Sequence, residues 1–240
     1  FAIEQLEAQG FTHVYGPSIA PDSATPERSR WDEVVLVGRL EAALKRINPD
    51  LPAKVLDTAI KEVARSQSPD LLASNEAFHR LLTEGVKVSI QQDGAERGVD
   101  VWLVDFNNPV NNEFMVVNQF TVIENNSIKR PDLVLFVNGL PLVVVELKNA
   151  ADENATVKSA FQQLETYKST ISSLFTYNAF LIISDGLDAR AGSLSAGFTR
   201  FMAWKAPDAT NPAVKISELQ TLIQHMLRPD VLLDLIRHFI

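Results

Sequence analysis

Three charged side chains in the hydrophobic segment 130–148 have the types and spacing that phosphodiester hydrolysis requires. Asp132 opens one apolar run, and Glu146 and Lys148 end the next one. Because Glu146 and Lys148 are two residues apart, they point to the same face of a strand. An Asn-Gly pair between the runs predicts a tight hairpin turn, which would fold the runs side by side. The sequence therefore predicts that two carboxylates and one amine meet at one edge of a sheet.

This predicted cluster has the ligand chemistry of a magnesium site. Mg²⁺ prefers oxygen ligands and retains several waters, so one or two carboxylates and a substrate phosphate are sufficient. We expect Asp132, Glu146 and the backbone carbonyl oxygen of Leu147 to bind the ion. A bound divalent ion lowers the pKa of its water, which can then attack phosphorus. Lys148 would orient that water or stabilise the charge that grows on the phosphate.

The structural alternative is a buried ion pair between Glu146 and Lys148. A Glu-x-Lys pattern by itself is common on solvated strand faces. Here the flanking runs LVLFV and LPLVVVEL are almost continuously apolar, which is typical of strands covered on both faces. A charge at the end of such a strand is costly unless it is paired or binds a metal. Pairing and metal binding therefore both remain open at this point.

A second polar pair follows the cluster in the chain. After a polar turn at 149–156, the segment 157–171 has the pattern of an amphipathic helix. Gln163 and Tyr167 are four residues apart and so share one helix face. Their amide and hydroxyl groups suit contacts with phosphate or base. The pattern is weak alone, but its position directly after the Glu-x-Lys strand links it to the predicted site.

These motifs and four longer segments carry a family resemblance. The pattern is an Asp, thirteen intervening residues, Glu-x-Lys and then Gln-x-x-x-Tyr. It resembles the PD-(D/E)xK nuclease superfamily, specifically its RecB-like branch, and Pro131-Asp132 matches the first motif of that superfamily. The longer text is similar to the N-terminal region of the restriction (HsdR) subunit of type I restriction–modification enzymes. The segments are EVVLVGRLEAALKRINPDLP, NNEFMVVNQFTV, RPDLVLFVNGLPLVVVELKN and LIISDGLDARAGSL. The resemblance extends over roughly residues 33–205.

The resemblance implies a Mg²⁺-dependent endonuclease that cuts duplex DNA after a separate motor region has translocated the DNA using ATP. Asp132 and Glu146 match the metal-binding carboxylates of that family, and Lys148 matches its catalytic lysine. Gln163 and Tyr167 match the motif that helps to position DNA. The implied partners are the methyltransferase and specificity subunits of the restriction complex, of which the specificity subunit reads the recognition sequence.

Glu76 is a further candidate for the site. It lies on the helix predicted before the first core strand, where related nucleases carry an acidic residue that can approach the metal. The alternative is a solvated helix carboxylate.

The elements that must position these residues follow from hydrophobic periodicity and turn signals. The pattern predicts helices at 31–47, 55–64, 74–84 and 157–171. Besides the two strands of the motif hairpin, it predicts strands at 11–16, 86–91, 99–106, 114–123, 179–184 and 200–205. It also predicts a turn at 185–192 and a helical segment at 217–240 that is broken at Pro229. The αβββαβ order matches the resembled superfamily. We therefore expect an α/β fold with a restriction-endonuclease-like core, a mixed central sheet flanked by helices, and extra N- and C-terminal helices.

Two regions are expected within the chain. Residues 1–206 would form the endonuclease domain, with a helical part at about 1–84 and the nuclease core at about 74–206. Residues 207–240 would form a helical extension toward a motor region. Because the chain lacks a G-x-x-x-x-G-K-[ST] phosphate loop, we expect a nuclease region separated from its ATPase, so that ATP would serve only the missing motor.

Composition excludes several other classes of protein. The chain has 240 residues, of which 46% are hydrophobic, which is enough for a sizeable core. It has no cysteine, which excludes disulfides, thiolate metal sites and a cysteine nucleophile and fits the reducing cytoplasm, where we expect the protein. Its apolar runs are shorter than the ~20 residues of a membrane span, so we expect no membrane partner.

The net charge of −8 argues against strong autonomous DNA binding, which usually requires a basic surface. We expect DNA to be delivered by partners or by a motor, and the isolated chain to be weakly active or inactive. A docking and regulatory module that couples the motor to the methyltransferase is a second hypothesis. Its motivation is the acidic charge and two amides, Asn118 and Gln119, inside a hydrophobic strand. A RecB-like exonuclease or resolvase is a third hypothesis, which the short motifs allow.

Overall fold

A computed structural model of the protein describes residues 1–65, 68–92, 95–148, 156–205 and 217–240. The strands in these ranges are β1 (Thr12–Tyr15), β2 (Val86–Gln92), β3 (Ala95–Val101), β4 (Phe114–Asn118), β5 (Val122–Glu124), β6 (Ser127–Lys129), β7 (Leu133–Val137), β8 (Leu140–Leu147), β9 (Phe180–Ser184) and β10 (Ala189–Gly192). Six of them form one sheet in the order β1-β4-β7-β8-β9-β10. The β1–β4 and β8–β9 pairs are parallel and the others are antiparallel, so the sheet is mixed.

Helices flank this sheet. They are α1 (Ala2–Ala8), α2 (Val37–Ile47), α3 (Ala53–Ala64), α4 (Leu71–Glu84), α5 (Val157–Thr170), α6 (Ser172–Phe175), α7 (Glu218–Thr221) and α8 (Pro229–His238), with a π-helical turn at Leu222–Met226. Helix α5 contacts β8 and β9, and α7 contacts β10. All five residues of β7 and the first seven of β8 are buried, as expected of central strands covered on both faces. The predicted α/β class with a mixed sheet is confirmed.

The turn between β7 and β8 brings the two motif strands together as the sequence predicts. Asn138 and Gly139 have φ angles of 53° and 79°, the left-handed conformations that a tight hairpin turn with matching twist requires. A Cβ atom on Gly139 would lie 2.5 Å from the carbonyl oxygen of Leu36, so glycine is also needed for the close approach to the start of α2. The resulting register pairs Leu133 with Val145 and places Asp132 next to the end of β8.

The strand predicted at 99–106 is present only in its first three residues, and it does not join the main sheet. Strand β3 ends at Val101 and pairs only with β2, in a hairpin separate from the main sheet. The side chain of Asn48 then binds the backbone of Trp102 through both its Nδ2 and Oδ1 atoms, each at 2.9 Å. This side chain satisfies the backbone groups that a sheet partner would otherwise take, and the chain leaves the strand direction there.

The strand predicted at 114–123 is broken in the middle. Gln119 has a φ angle of 59°, which interrupts the extended conformation and separates β4 from β5. Asn118 shares a hydrogen bond of 2.9 Å with His13 Nε2, across the β1–β4 pair. Asn118, one of the two amides that motivate the docking hypothesis, thus makes a hydrogen bond within the protein.

Both edges of the sheet come from segments with weak sequence signals. Strand β1 at one edge matches the strand predicted at 11–16. Strand β10 at the other edge forms where the sequence predicted a turn. The strand predicted at 200–205 is reduced to a single bridge between Ala191 and Met202.

Two helix starts differ from the prediction, and the C-terminal segment packs on the core. Helix α2 begins at Val37 rather than at residue 31, and α4 is capped by Asp70, whose side chain accepts a hydrogen bond from the Ala73 N–H at 2.8 Å. The expected boundary at 206–207 and the turn at 149–155 lie outside the described residues. Beyond them, Leu222 is fully buried in the core shared with the sheet, and α8 starts at Pro229, where the break was predicted. Across the described ranges, no helix has both the length and the apolar character for a membrane crossing.

Candidate active site

The two motif carboxylates meet where β7 begins and β8 ends. Asp132 directly precedes β7, and Glu146 is the penultimate residue of β8. The Oδ2 atom of Asp132 accepts a hydrogen bond of 2.8 Å from the backbone N–H of Leu147, which fixes the Asp132 carboxylate against the end of β8. The hairpin geometry predicted from the sequence therefore brings these two side chains together.

Glu146 is a buried carboxylate that its surroundings satisfy only in part. Its side chain is 1% exposed, and its Oε1 atom accepts a hydrogen bond of 3.0 Å from Lys148 Nζ. Its Oε2 atom is buried and has no hydrogen-bond partner among the described residues. Burial, followed by the nearby charge of Asp132, raises the pKa of Glu146 to about 7 against the opposing effect of Lys148. Charging a buried carboxyl whose oxygen lacks a partner is costly, and a bound cation would satisfy the charged form.

Lys148 connects the carboxylates to helix α5. Besides its bond to Glu146, its Nζ atom donates to Oε1 of Gln163, and Nε2 of Gln163 donates to the hydroxyl oxygen of Tyr167. The backbone N–H of Lys148 donates to the carbonyl oxygen of Ser184 at 2.8 Å, which holds the end of β8 beside the end of β9. Four polar side chains thus form one continuous hydrogen-bonded chain, from Glu146 to Tyr167.

Local features of α5 place Gln163 and Tyr167 in this chain. Thr156 caps the helix by accepting a hydrogen bond from the Ser159 N–H at 3.1 Å, and Ser159 Oγ accepts the Thr156 N–H in return. The spacing of four residues then stacks Gln163 above Tyr167 on the face toward the site. Burial raises the pKa of Tyr167 to about 12, so its hydroxyl stays protonated at neutral pH.

The structure does not bring Glu76 to this cluster. Its side chain is 67% exposed and pairs with Arg80 one turn along α4. The neighbouring Asn75 donates to the carbonyl oxygen of Asn178, which precedes β9. The cluster lies at the other end of β8 and β9, since these strands run parallel and Leu147 is level with Ser184. Helix α4 is therefore anchored at the opposite end of the sheet.

The donor set suits a hard divalent ion that keeps part of its hydration shell. Within the part of the chain that the structure describes, no group of three or more His, Cys, Asp or Glu side chains is placed to hold a metal. An ion at this site would rest on two carboxylates, Asp132 and Glu146, and on the backbone carbonyl of Leu147. The unpaired Oε2 atom of buried Glu146 fits this occupancy, and Mg²⁺ typically binds with few protein ligands.

An open cleft of about 500 Å³ borders the cluster, and no local sequence pattern records its shape. Lys129 and Arg130 line one side, and Gln162, Thr166 and Tyr167 line the other. The signal available was the pair of cations just before the Pro-Asp motif. A larger cavity of about 530 Å³ elsewhere in the molecule contains none of the predicted site residues.

The class of protein follows from this arrangement. A mixed six-stranded sheet flanked by helices is consistent with a nuclease-like α/β fold, and two carboxylates and a lysine lie at the ends of its adjacent central strands. The family described as "Type I restriction enzyme R protein N terminus" matches residues 1–200. The chain belongs to this family.

Individual relatives agree with this family assignment. The chain is 42% identical over 242 residues to the type I restriction enzyme HindI endonuclease subunit of Haemophilus influenzae. The aligned region covers 99% of this chain and 23% of that protein. It is 32% identical over 242 residues to the MjaIXP endonuclease subunit of Methanocaldococcus jannaschii, with 98% and 23% coverage. The SauMSSORF170P endonuclease subunit of Staphylococcus aureus is 30% identical over 156 residues, with 64% and 16% coverage. The chain thus spans about a quarter of the length of the first two relatives.

Proposed function

We propose that this chain is the Mg²⁺-dependent DNA endonuclease domain of a type I restriction enzyme. It would hydrolyse phosphodiester bonds of duplex DNA after ATP-driven translocation by a motor region outside this chain. The observation that carries the proposal is the buried Glu146, whose Oε2 atom is unpaired while Asp132 and Lys148 lie beside it. The family assignment and the names of the relatives, which are endonuclease subunits, support the same function.

Each residue of the cluster has a role that its contacts allow. Asp132, Glu146 and the Leu147 carbonyl would hold the metal, which when bound would polarise the phosphate and lower the pKa of a water molecule. Lys148 would place its positive charge where negative charge develops on the phosphate. Gln163 holds Lys148 through its amide oxygen and Tyr167 through its amide nitrogen, so it would keep the ammonium group in place.

The proposal includes the setting in which the domain acts. Duplex DNA would be the substrate, the methyltransferase and specificity subunits would be partners, and the cytoplasm would be the location. The net charge of −8 supports delivery of DNA by a motor or by partners rather than tight binding by this chain alone. Nicking by the isolated chain would then be weak compared with cleavage by the assembled enzyme.

Calorimetric titration with Mg²⁺ tests the site directly. The wild-type chain should bind the ion, whereas Asp132→Asn and Glu146→Gln should each lose most of the heat of binding. The control is Glu41→Gln, since Glu41 is a partly exposed carboxylate that pairs with Lys45 on α2, away from the site. DNA nicking by the assembled enzyme is measured alongside. The proposal fails if the wild type binds no divalent ion in the presence of DNA, or if the two site variants cleave as fast as the wild type.

A further inference from the structure

The cleft beside the carboxylates has a chemical character unlike that of the whole chain. Its lining consists of cations, amides, hydroxyls and one aliphatic side chain, in a protein whose net charge is −8. Lys129 and Arg130 contribute the charge, and Ile128, which is 67% exposed, contributes the apolar surface. An isoleucine exposed between polar neighbours on a short strand has no role in the core of the protein. The lining suits a ligand with both anionic and apolar parts.

The two cations of the cleft are free to bind an external anion. In the described part of the chain, the side chains of Lys129 and Arg130 make no ion pair or hydrogen bond. The nearby Lys168 differs, since it pairs with Glu165 and donates to the carbonyl oxygen of Leu194 at 2.8 Å. Protein contacts therefore already occupy Lys168, whereas the side chains of Lys129 and Arg130 are available to an external anion.

The wall that carries these cations is held in place. Glu124 of β5 accepts hydrogen bonds of 3.0 Å from Ser172 Oγ and from the Ser173 N–H, at the start of α6. Asn125 and Asn126 close the β5–β6 hairpin with φ angles of 48° and 63°. The hairpin is thus tied to the helical layer next to α5, so the cleft is a preformed feature rather than an opening between loose loops.

The cleft is continuous with the carboxylate cluster. Arg130 is separated from Asp132 by a single residue, Pro131, which is buried. On the opposite wall, Tyr167 is bonded to Gln163, which also contacts Lys148. An extended anion lying in the cleft would therefore reach the cluster without a break.

We propose that the cleft between β6 and α5 binds the sugar-phosphate backbone of the DNA strand next to the bond that is cut. Lys129 and Arg130 contact its phosphates, the Gln162 side chain donates a hydrogen bond to it, and Ile128 packs against a sugar. This inference rests on the proposed endonuclease function and adds to it the surface that holds the substrate. Phosphate contacts of this kind position the strand without reading its sequence.

Salt dependence of DNA binding measures the phosphate contacts. Fluorescence anisotropy with a short labelled duplex compares Lys129→Gln/Arg130→Gln with the control Lys54→Gln/Lys61→Gln, both made in a Glu146→Gln background that cannot hydrolyse the probe. Lys54 and Lys61 are exposed on α3, so the control loses the same charge away from the cleft. Each lost phosphate contact lowers the slope of log affinity against log salt by about 0.9. The slope for the cleft variant should therefore fall by roughly twice this amount, and the slope for the control should stay the same.

A chemical footprint tests the placement of Ile128 independently of affinity. Because the chain has no cysteine, Ile128→Cys introduces a single reactive thiol. Duplex DNA should slow its alkylation several-fold. Val110→Cys, at a position that is 88% exposed and outside the cleft, is the matched control and should react at the same rate with and without DNA.

The outcomes separate this inference from the proposed function. Equal salt slopes in the cleft and control variants, or equal alkylation of Ile128→Cys with and without DNA, would overturn the inference even if the enzyme cleaves DNA normally. Absence of duplex binding by the Glu146→Gln parent at low salt would overturn it as well. Failure of the proposed function is instead recognised by metal titration and nicking of the wild type, which neither binding assay uses.

Discussion

The two ends of the β8–β9 pair bury polar groups of opposite kinds. At one end, Glu146 is a buried carboxylate with one oxygen on Lys148 and the other unpaired. At the other end, Asn75 donates to three carbonyl oxygens at 2.8–3.3 Å, and His79 Nε2 lies 3.0 Å from that of Asn178. The groups at the second end are neutral and bond to backbone carbonyls, although His79 Nδ1 and Asn178 Oδ1 are also buried without a hydrogen-bond partner among the described residues. The two ends therefore differ in charge: the Asn75 end leaves neutral atoms unpaired, whereas the Glu146 end buries an ionisable carboxylate, which is the costlier state and one that a bound cation would relieve.

The pKa shifts of the two ends also point in opposite directions. Burial raises the pKa of Glu146 to about 7, and burial lowers the pKa of His79 below its ordinary value. In both cases burial disfavours the charged form. The folded metal-free protein therefore favours a protonated Glu146 and a neutral His79, so that acid stabilises one end and destabilises the other.

The largest effect is expected on activity when Lys148 is replaced. Lys148→Met should lower DNA cleavage by the assembled enzyme by about 10²–10³-fold, because a preorganised charge at the phosphate is lost. Cleavage rates at saturating Mg²⁺ measure this effect, with circular dichroism to check the fold. Lys54→Met is the matched control. If the Lys148 variant cleaves DNA as fast as the wild type, the Glu146 end of the β8–β9 pair would have no catalytic role to distinguish it from the Asn75 end.

A pH effect on stability should follow from the Glu146 carboxyl. The folded pKa of about 7 exceeds the ordinary value of 4.5, so the folded metal-free protein binds the proton more tightly than the unfolded chain. The stabilisation from this group is complete below pH 4.5 and is lost as the pH rises through 7. The shift corresponds to about 3 kcal/mol as an order of magnitude.

Urea denaturation of metal-free protein across this window measures that loss. The free energy of unfolding of the wild type, taken relative to Glu146→Gln, should fall as the pH rises. Saturating Mg²⁺ should abolish the fall, because the ion favours the charged carboxylate. A difference between the two proteins that is independent of pH would contradict the buried, partly satisfied state of Glu146.

An intermediate effect, on stability alone, is expected at the other end of the strands. Asn75→Ala should lower the free energy of unfolding by about 1–3 kcal/mol, because backbone carbonyls between the end of α6 and β9 lose their donor. The affinity for Mg²⁺ should stay the same, since Asn75 lies at the far end of the sheet. Urea denaturation and calorimetric titration of the same preparation give both quantities. Weaker Mg²⁺ binding in the folded variant would show that the two ends are coupled.

The smallest effect is expected at Glu76. The exposed Glu76–Arg80 pair should contribute little, so Glu76→Gln should change the free energy of unfolding by less than about 0.5 kcal/mol. It should also leave Mg²⁺ affinity and cleavage as in the wild type. A marked loss of cleavage would instead support the role that the family resemblance suggests for this residue.

Several features were predictable from local sequence because local chemistry decides them. The Asn-Gly pair specifies the left-handed turn, the two-residue spacing puts Glu146 and Lys148 on one face, and the four-residue spacing aligns Gln163 with Tyr167. Together these patterns brought the five motif residues to one place. Their roles in catalysis and metal binding stay predictions until the variants above are measured.

Other features depend on which distant segments compete for the same partner. The 99–106 segment has the composition of a core strand, but the side chain of Asn48, more than fifty residues away in sequence, takes the backbone of Trp102. The turn-like segment 185–192 gains a strand because β9 offers it an open edge. Strand propensity depends on such contacts, so the sequence pattern alone could not decide these positions.

By itself, the sequence determined the α/β class, the motif hairpin and which polar side chains meet at the ends of β7 and β8, since periodicity and turn chemistry act over a few residues. Only the tertiary structure decided that Glu146 is buried with an unpaired oxygen, that Glu76 is anchored elsewhere, and that a cationic cleft leads to Asp132. Burial, pKa and clefts arise when segments far apart in the chain pack together, and no local pattern records how they do so.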